Sequence, residues 1–161
     1  APAATIARLD QQPPPGRWLK IFPWIIVGLI LLGFIIGFRV SPDLGWQLVI
    51  DWILINGVLA GLGATIALAH PLTVVTSALA APLTSLNPTI GVGFVAAAAE
   101  VWLRKPTVGD CSALRKDTAR LRGWWSNRVS RVLLVFVLTT AGSAIGTYAA
   151  GFKIAERLLG A

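Results

Sequence analysis

The stretch PLTVVTSALAAPLTSLNPTIGVGFVAAAAEVWLRK, residues 71–105, decides the fold. It is too hydrophobic for a surface loop and too interrupted for one transmembrane helix. Pro71, Pro82 and Pro88 punctuate it, and TSLNPT (84–89) places a polar Asn-Pro hinge at its middle. Proline lacks the N–H that continues a helix and pushes the residue before it toward extended backbone. Residues 72–81 therefore read as a short half-helix and 88–103 as a second. Irregular backbone at membrane depth is tolerated only where protein buries it or a polar cavity adjoins it. Residues 72–103 are thus expected to be a broken element, either a re-entrant hairpin or two short tilted spans, packed by the remaining helices.

The rest of the chain agrees with a membrane setting. Of 161 residues, 55% are hydrophobic and 13% charged, with a mean hydropathy of +0.73, well above soluble composition. The net charge of +7 would point to nucleic acid in a soluble protein. Here the basic residues flank apolar runs, so they read as topology signals and contacts to anionic lipid rather than a nucleic-acid surface. One cysteine, Cys111, and one histidine, His70, exclude an internal disulfide and a histidine-based metal site within one chain.

Residues 18–38 read as a first span of uniformly bulky character, with Trp18, Trp24 and Lys20 at one interface and Arg39 at the other. Residues 39–45 read as a turn, and a second helix occupies about 44–70, closed by His70 before Pro71. Its Gly57 and Gly61, and its Ala60 and Ala64, lie four apart and allow close helix approach. Residues 104–131 hold eight basic residues against Asp110 and Asp117. Asp110 is a candidate N-cap for an amphipathic interfacial helix over 111–125. In it Trp124 and Trp125 would sit at the interface while Arg120 and Arg122 reach lipid phosphates. A last span covers about 131–152, with Gly142 and Gly146 as a GxxxG face. Residues 1–17 read as a proline-rich linker from a soluble domain preceding the membrane domain, 18–161.

The fold class is accordingly an all-α integral membrane bundle: about three full transmembrane helices, a broken or re-entrant helix pair and an amphipathic interfacial helix. The basic flanks 8–20 and 104–131 belong on one side, the cytoplasmic one by the positive-inside rule. Two helices separate them from residue 71, so residues 71–103 must contribute zero or two crossings, never one.

The blocks APLTSLNPTIGVGFVAAAAEVWLRKPTVGD (81–110) and GWWSNRVSRVLLVFVLTTAGSAIGTYAAG (123–151) are similar, in order, to the C-terminal membrane region of the TraB/PrgY family. With helix two the resemblance covers roughly 55–151, and its specific blocks are PLTSLNPT, E-x-x-L-R-K-P-T-V and NRV-x-R-V-L-L-V-F. It implies a two-part protein. An N-terminal soluble domain related to Tiki-type and erythromycin-esterase-like folds would carry metal-dependent peptidase or hydrolase activity. A C-terminal helical domain would sit in a prokaryotic inner membrane. The PrgY branch is associated with shutting down a peptide pheromone. The histidine and glutamate motifs of the soluble domain do not occur in this chain, so it is read as non-enzymatic, with no catalytic residue, metal or cofactor.

Two roles stay open at this point. One is a domain that anchors the soluble part and oligomerises, a dimer favoured, through its small-residue faces. The other is a channel, transporter or peptide-binding module whose cavity is lined by Thr84, Ser85, Asn87, Pro88 and Glu100. Asn87 is also read as capping the half-helix after it. Glu100 is the first choice for a polar role, because an intramembrane carboxylate is costly; its candidate partners are Arg104, Arg128 and Arg131.

Overall fold

The computed structural model describes residues 16–160, so the linker expected over 1–17 lies almost wholly outside the described residues. Those described are all-helical. Three helices are long and apolar enough to cross a membrane: α1 (Arg17–Val40), α2 (Pro42–Ile66) and α7 (Arg128–Leu159). Between α2 and α7 come α3 (Pro71–Thr84), α4 (Val92–Arg104), α5 (Val108–Asp117) and the single-turn α6 (Gly123–Ser126).

The boundary of α1 and α2 is one residue wide rather than the seven-residue turn expected over 39–45. Ser41 is extended and accepts from Leu44 N at 3.1 Å, Pro42 occupies the first helical position and Asp43 the first turn. All three suit a helix start.

Helix α2 ends at Ile66, four residues before the expected close at His70. The reason is a Schellman turn on a non-glycine residue. Leu68 takes φ 55°, Ala69 N donates to Ala64 O at 3.0 Å and Leu68 N to Thr65 O at 2.9 Å. His70 instead starts the next helix: its Nδ1 accepts from Leu72 N at 3.2 Å, with Pro71 at the first helical position.

Helix α3 runs through Pro82 to Thr84, past its expected end at 81. Pro82 removes the N–H that would serve Ala78 O, and that carbonyl lies against Gly57 of α2, where a Cβ would stand 2.8 Å from it. The glycine accommodates the carbonyl the proline has freed. At the tip, Asn87 Oδ1 accepts from Thr89 N at 3.0 Å in an Asx turn. Asn87 does not cap α4, whose N-cap is Gly91. With 14 and 13 residues, α3 and α4 are each about 20 Å long at 1.5 Å per residue, short of a hydrocarbon core of about 30 Å.

The single amphipathic helix expected over 111–125 is replaced by α5, a turn and α6. Thr107, not Asp110, is the N-cap of α5. Asp110 sits at the third helical position and completes a capping box. Helix α7 begins at Arg128 rather than 131, because Asn127 caps it by accepting from Val129 N and Ser130 N. It continues to Leu159 rather than 152, since no breaker intervenes before Gly160.

Helix α2 is the centre. Helix α7 runs antiparallel along it, with Gly63 against Leu138, Gly142 against Leu59 and Ala60, and Gly146 against Asn56. At the far end Ile30, Leu48, Trp52, Ala150 and Ile154 join α1, α2 and α7, with Phe34 edge-on to Trp52 at 6.0 Å. Gly57 and Gly61 face α3, and Ala60 and Ala64 are fully buried. The small-residue faces read as either bundle or dimer surfaces are therefore occupied within one chain.

The pair α3–α4 starts and finishes at the same end of the bundle, the end where α2 closes and α7 begins. His70 and Leu68 at its entry are tied to Glu100 and Arg104 at its exit. Trp125, just before α7, donates its indole N–H to Ile66 O at 2.8 Å.

Candidate functional site

The residues expected to line one cavity fall into separate groups. Glu100 is fully buried. Its Oε2 accepts from Thr73 Oγ1 at 2.7 Å and from the His70 backbone N at 2.9 Å. Arg104 Nε stands 2.9 Å from Oε1. That contact is an ion pair by charge and distance, without the N–H aligned for a directed hydrogen bond. Arg104 Nη2 also donates to Leu68 O at 3.3 Å. Of the three candidate partners only Arg104 meets Glu100. Arg131 donates to Trp125 O, and Arg128 is exposed on the loop side near Asp110. The helical spacing of four between 100 and 104 brings that pair together, whereas α7 points its first turn at the loop.

Ser85, at the other end of α3, belongs to a second cluster. The 12 residues from Thr73 to Ser85 correspond to about 18 Å along a helix. The Ser85 hydroxyl lies 3.0 Å from Asn56 Oδ1 and 2.9 Å from Ser143 Oγ, and is also within reach of Ala81 O. Asn56, fully buried, gives its amide N–H to Trp52 O at 3.1 Å, and its Oδ1 also receives Thr147 Oγ1 at 3.2 Å. Trp52 Nε1 donates to Pro82 O at 3.1 Å. Thr84 bonds back to its own helix at Ala80 O and Ala81 O. Asn87 and Pro88 lie at the exposed tip. Thr84, Ser85, Asn87 and Glu100 thus do not share one cavity. The polar groups of these two clusters are turned on one another and on backbone carbonyls, as interhelical contacts in a membrane require.

A third cluster was not legible in the sequence. Asp51 of α2 meets Arg157 Nε at 2.8 Å and Lys153 Nζ at 3.7 Å from α7, and Arg157 Nη1 donates to Gln47 Oε1 at 2.6 Å. Asp51 alone reads as an interfacial residue; only the register of α7 on α2 supplies its partners.

The loop end carries the basic surface. Trp18 and Lys20 are exposed at the start of α1, and Arg120 and Arg122 at the turn between α5 and α6. Trp124 donates to Thr118 O at 3.2 Å. Asn127, also missed by sequence reasoning, is 3% exposed and fully engaged. Besides its cap, its Nδ2 donates to Asp110 O and Asp117 Oδ2 at 2.8 and 2.9 Å, fastening α5 to α7. The NRV block was the one available signal for it. Asp110 is held below its ordinary value of 3.8, first by the Thr107 backbone N–H, then by the Thr107 hydroxyl, with the Arg128 charge adding to both. Among the described residues no group of three or more His, Cys, Asp or Glu is placed to hold a metal ion.

Residues 18–159 match the model of the TraB family protein C-terminal domain. An uncharacterized protein of Methanocaldococcus jannaschii is 31% identical over 110 residues, covering 67% of this chain and 28% of that relative. No solved structure matches the chain.

Proposed function

The chain belongs to the TraB family, as that family's C-terminal domain, and on this premise we propose that it anchors and orients an N-terminal soluble domain on a membrane. In this reading α1, α2 and α7 cross the bilayer and α3–α4 is a re-entrant hairpin that enters and leaves on one side. The observation that carries it is the common end of the bundle. The Schellman turn of α2, both ends of the hairpin and the basic loop are tied together there, and α1, antiparallel to α2 through the pairs Phe38–Trp46 and Phe34–Trp52, starts toward that end. Basic residues concentrated at one end support a cytoplasmic placement of that end in a prokaryotic cell membrane. A soluble domain joined ahead of α1 would stand over that same face. The resemblance gives such a domain a metal-dependent peptidase or hydrolase chemistry acting on peptide signals. The chain spans 28% of the relative it matches, which leaves ample length there for such a domain.

The test is cysteine labelling in sealed vesicles, in a Cys111→Ser background. Single cysteines at Arg17 and Arg120 should react from one side and one at Asp43 from the other. Labelling of positions 17 and 120 from opposite sides would defeat the arrangement. The same labelling at Thr89 should show no exit of the hairpin tip on the far side.

A further inference from the structure

At the loop end lies a groove of about 1100 Å³, floored by Ile66 and Leu68, walled by Trp125 and rimmed by Lys116, Arg120 and Arg122. We propose that it is a binding site for a single anionic phospholipid, the phosphate held by the three cations and an acyl chain laid along Ile66 and Leu68. This rests on the membrane reading above but assigns a discrete ligand site that the reading does not require.

The chemistry of the groove is two-sided, as a lipid is. Ile66 and Leu68 are 60% and 57% exposed at the point where the spanning part of α2 ends, the depth at which an acyl chain meets its headgroup. Lys116, Arg120 and Arg122 are exposed, and none takes part in the ion pairs or side-chain hydrogen bonds formed among the described residues. Their charge is therefore available to a ligand. Asp117, the one carboxylate of the rim, accepts from Asn127.

A helix C-terminus normally repels an anion. Here the last carbonyls of α2 are capped, Ala64 and Thr65 by the Schellman bonds and Ile66 by the Trp125 indole, and Leu68 O in the turn that follows accepts from Arg104. The Trp125 bond also fixes the indole as a wall. Basic residues beside a spanning helix attract anionic headgroups, and three converging on one apolar-floored groove define a site rather than a diffuse field.

The test uses the purified chain in detergent, with lipid retention read by native mass spectrometry under equal phosphatidylglycerol and phosphatidylcholine. Wild type should retain phosphatidylglycerol selectively. K116Q/R120Q/R122Q should weaken that binding about a hundredfold. R17Q/K105Q/R115Q, which removes the same charge outside the groove, should keep it. Equal loss in both variants, no loss in the first, or displacement of the lipid by inorganic phosphate at matched concentration would overturn the site. Resistance of each variant to alkaline carbonate extraction from membranes is measured alongside. Extraction of the wild type would instead count against the membrane reading itself.

Discussion

Thr73 donates its hydroxyl to the buried Glu100 carboxylate at 2.7 Å, and this bond fastens the first turn of α3 to the last turns of α4. With the His70 backbone N–H on the same oxygen, one carboxylate closes the base of the hairpin. Glu100→Ala would deprive the buried Thr73 hydroxyl and the partly buried His70 N–H of that acceptor, and Arg104 of its anion. The expected cost is roughly 2–3 kcal/mol. Glu100→Gln keeps an acceptor oxygen and should cost less than half as much. Unfolding in detergent, followed by circular dichroism, measures both; an Ala variant as stable as wild type removes the structural role argued for Glu100.

The glycines separate into two kinds, and the difference is measurable. A Cβ at Gly142 would meet the Leu59 carbonyl, and one at Gly63 the Leu138 carbonyl. Both neighbours are helix backbone and cannot swing aside. Gly142→Ala or Gly63→Ala should destabilise by about 2 kcal/mol through overpacking at the α2–α7 contact. Gly28→Ala meets nothing within 4 Å and should be neutral or stabilise by up to about 1 kcal/mol from helix propensity. The ranking of the three variants in one unfolding assay decides the matter.

The residues that were legible in sequence are those whose signal is local. Prolines and Asn87 announced a broken element, and unbroken apolar runs announced α1, α2 and α7. The end of α2 was not legible because its αL position carries Leu68, where the usual marker is glycine. Pro82 did not end α3 because its freed Ala78 carbonyl meets Gly57, an arrangement set by another helix. Glu100 and Arg104 could be paired by spacing, but Thr73 and the His70 N–H required the hairpin to close. Asp51 gave no hint of Lys153 and Arg157, since that contact depends wholly on how α7 registers on α2.

The Asp51–Arg157 contact should couple α2 to α7 only modestly. Arg157 is about one-third exposed and Asp51 less so, so solvent screens the pair, and a double-mutant cycle of Asp51→Asn with Arg157→Gln should give about 1 kcal/mol or less. The coupling should shrink in high salt. A coupling of zero at low salt would mean that the geometry holds the helices together without help from these charges.

Asp110 gives the loop a pH dependence whose sign follows from its cause. The Thr107 backbone N–H and hydroxyl, with Arg128 nearby, favour the charged carboxylate and lower its value below 3.8. A depressed value in the folded state contributes stability that is fully present above 3.8 and disappears as pH falls through the lower, folded value. The capping box of α5 should therefore loosen only in acid below the ordinary aspartate range. Titration of the Asp110 carboxyl carbon by NMR in micelles should show a midpoint under 3.8, with the Cys111 amide shifting in step. Asp110→Asn should abolish that shift while α1, α2 and α7 stay folded. A carboxyl that titrates at or above 3.8 would mean that Thr107 does not close the box in solution.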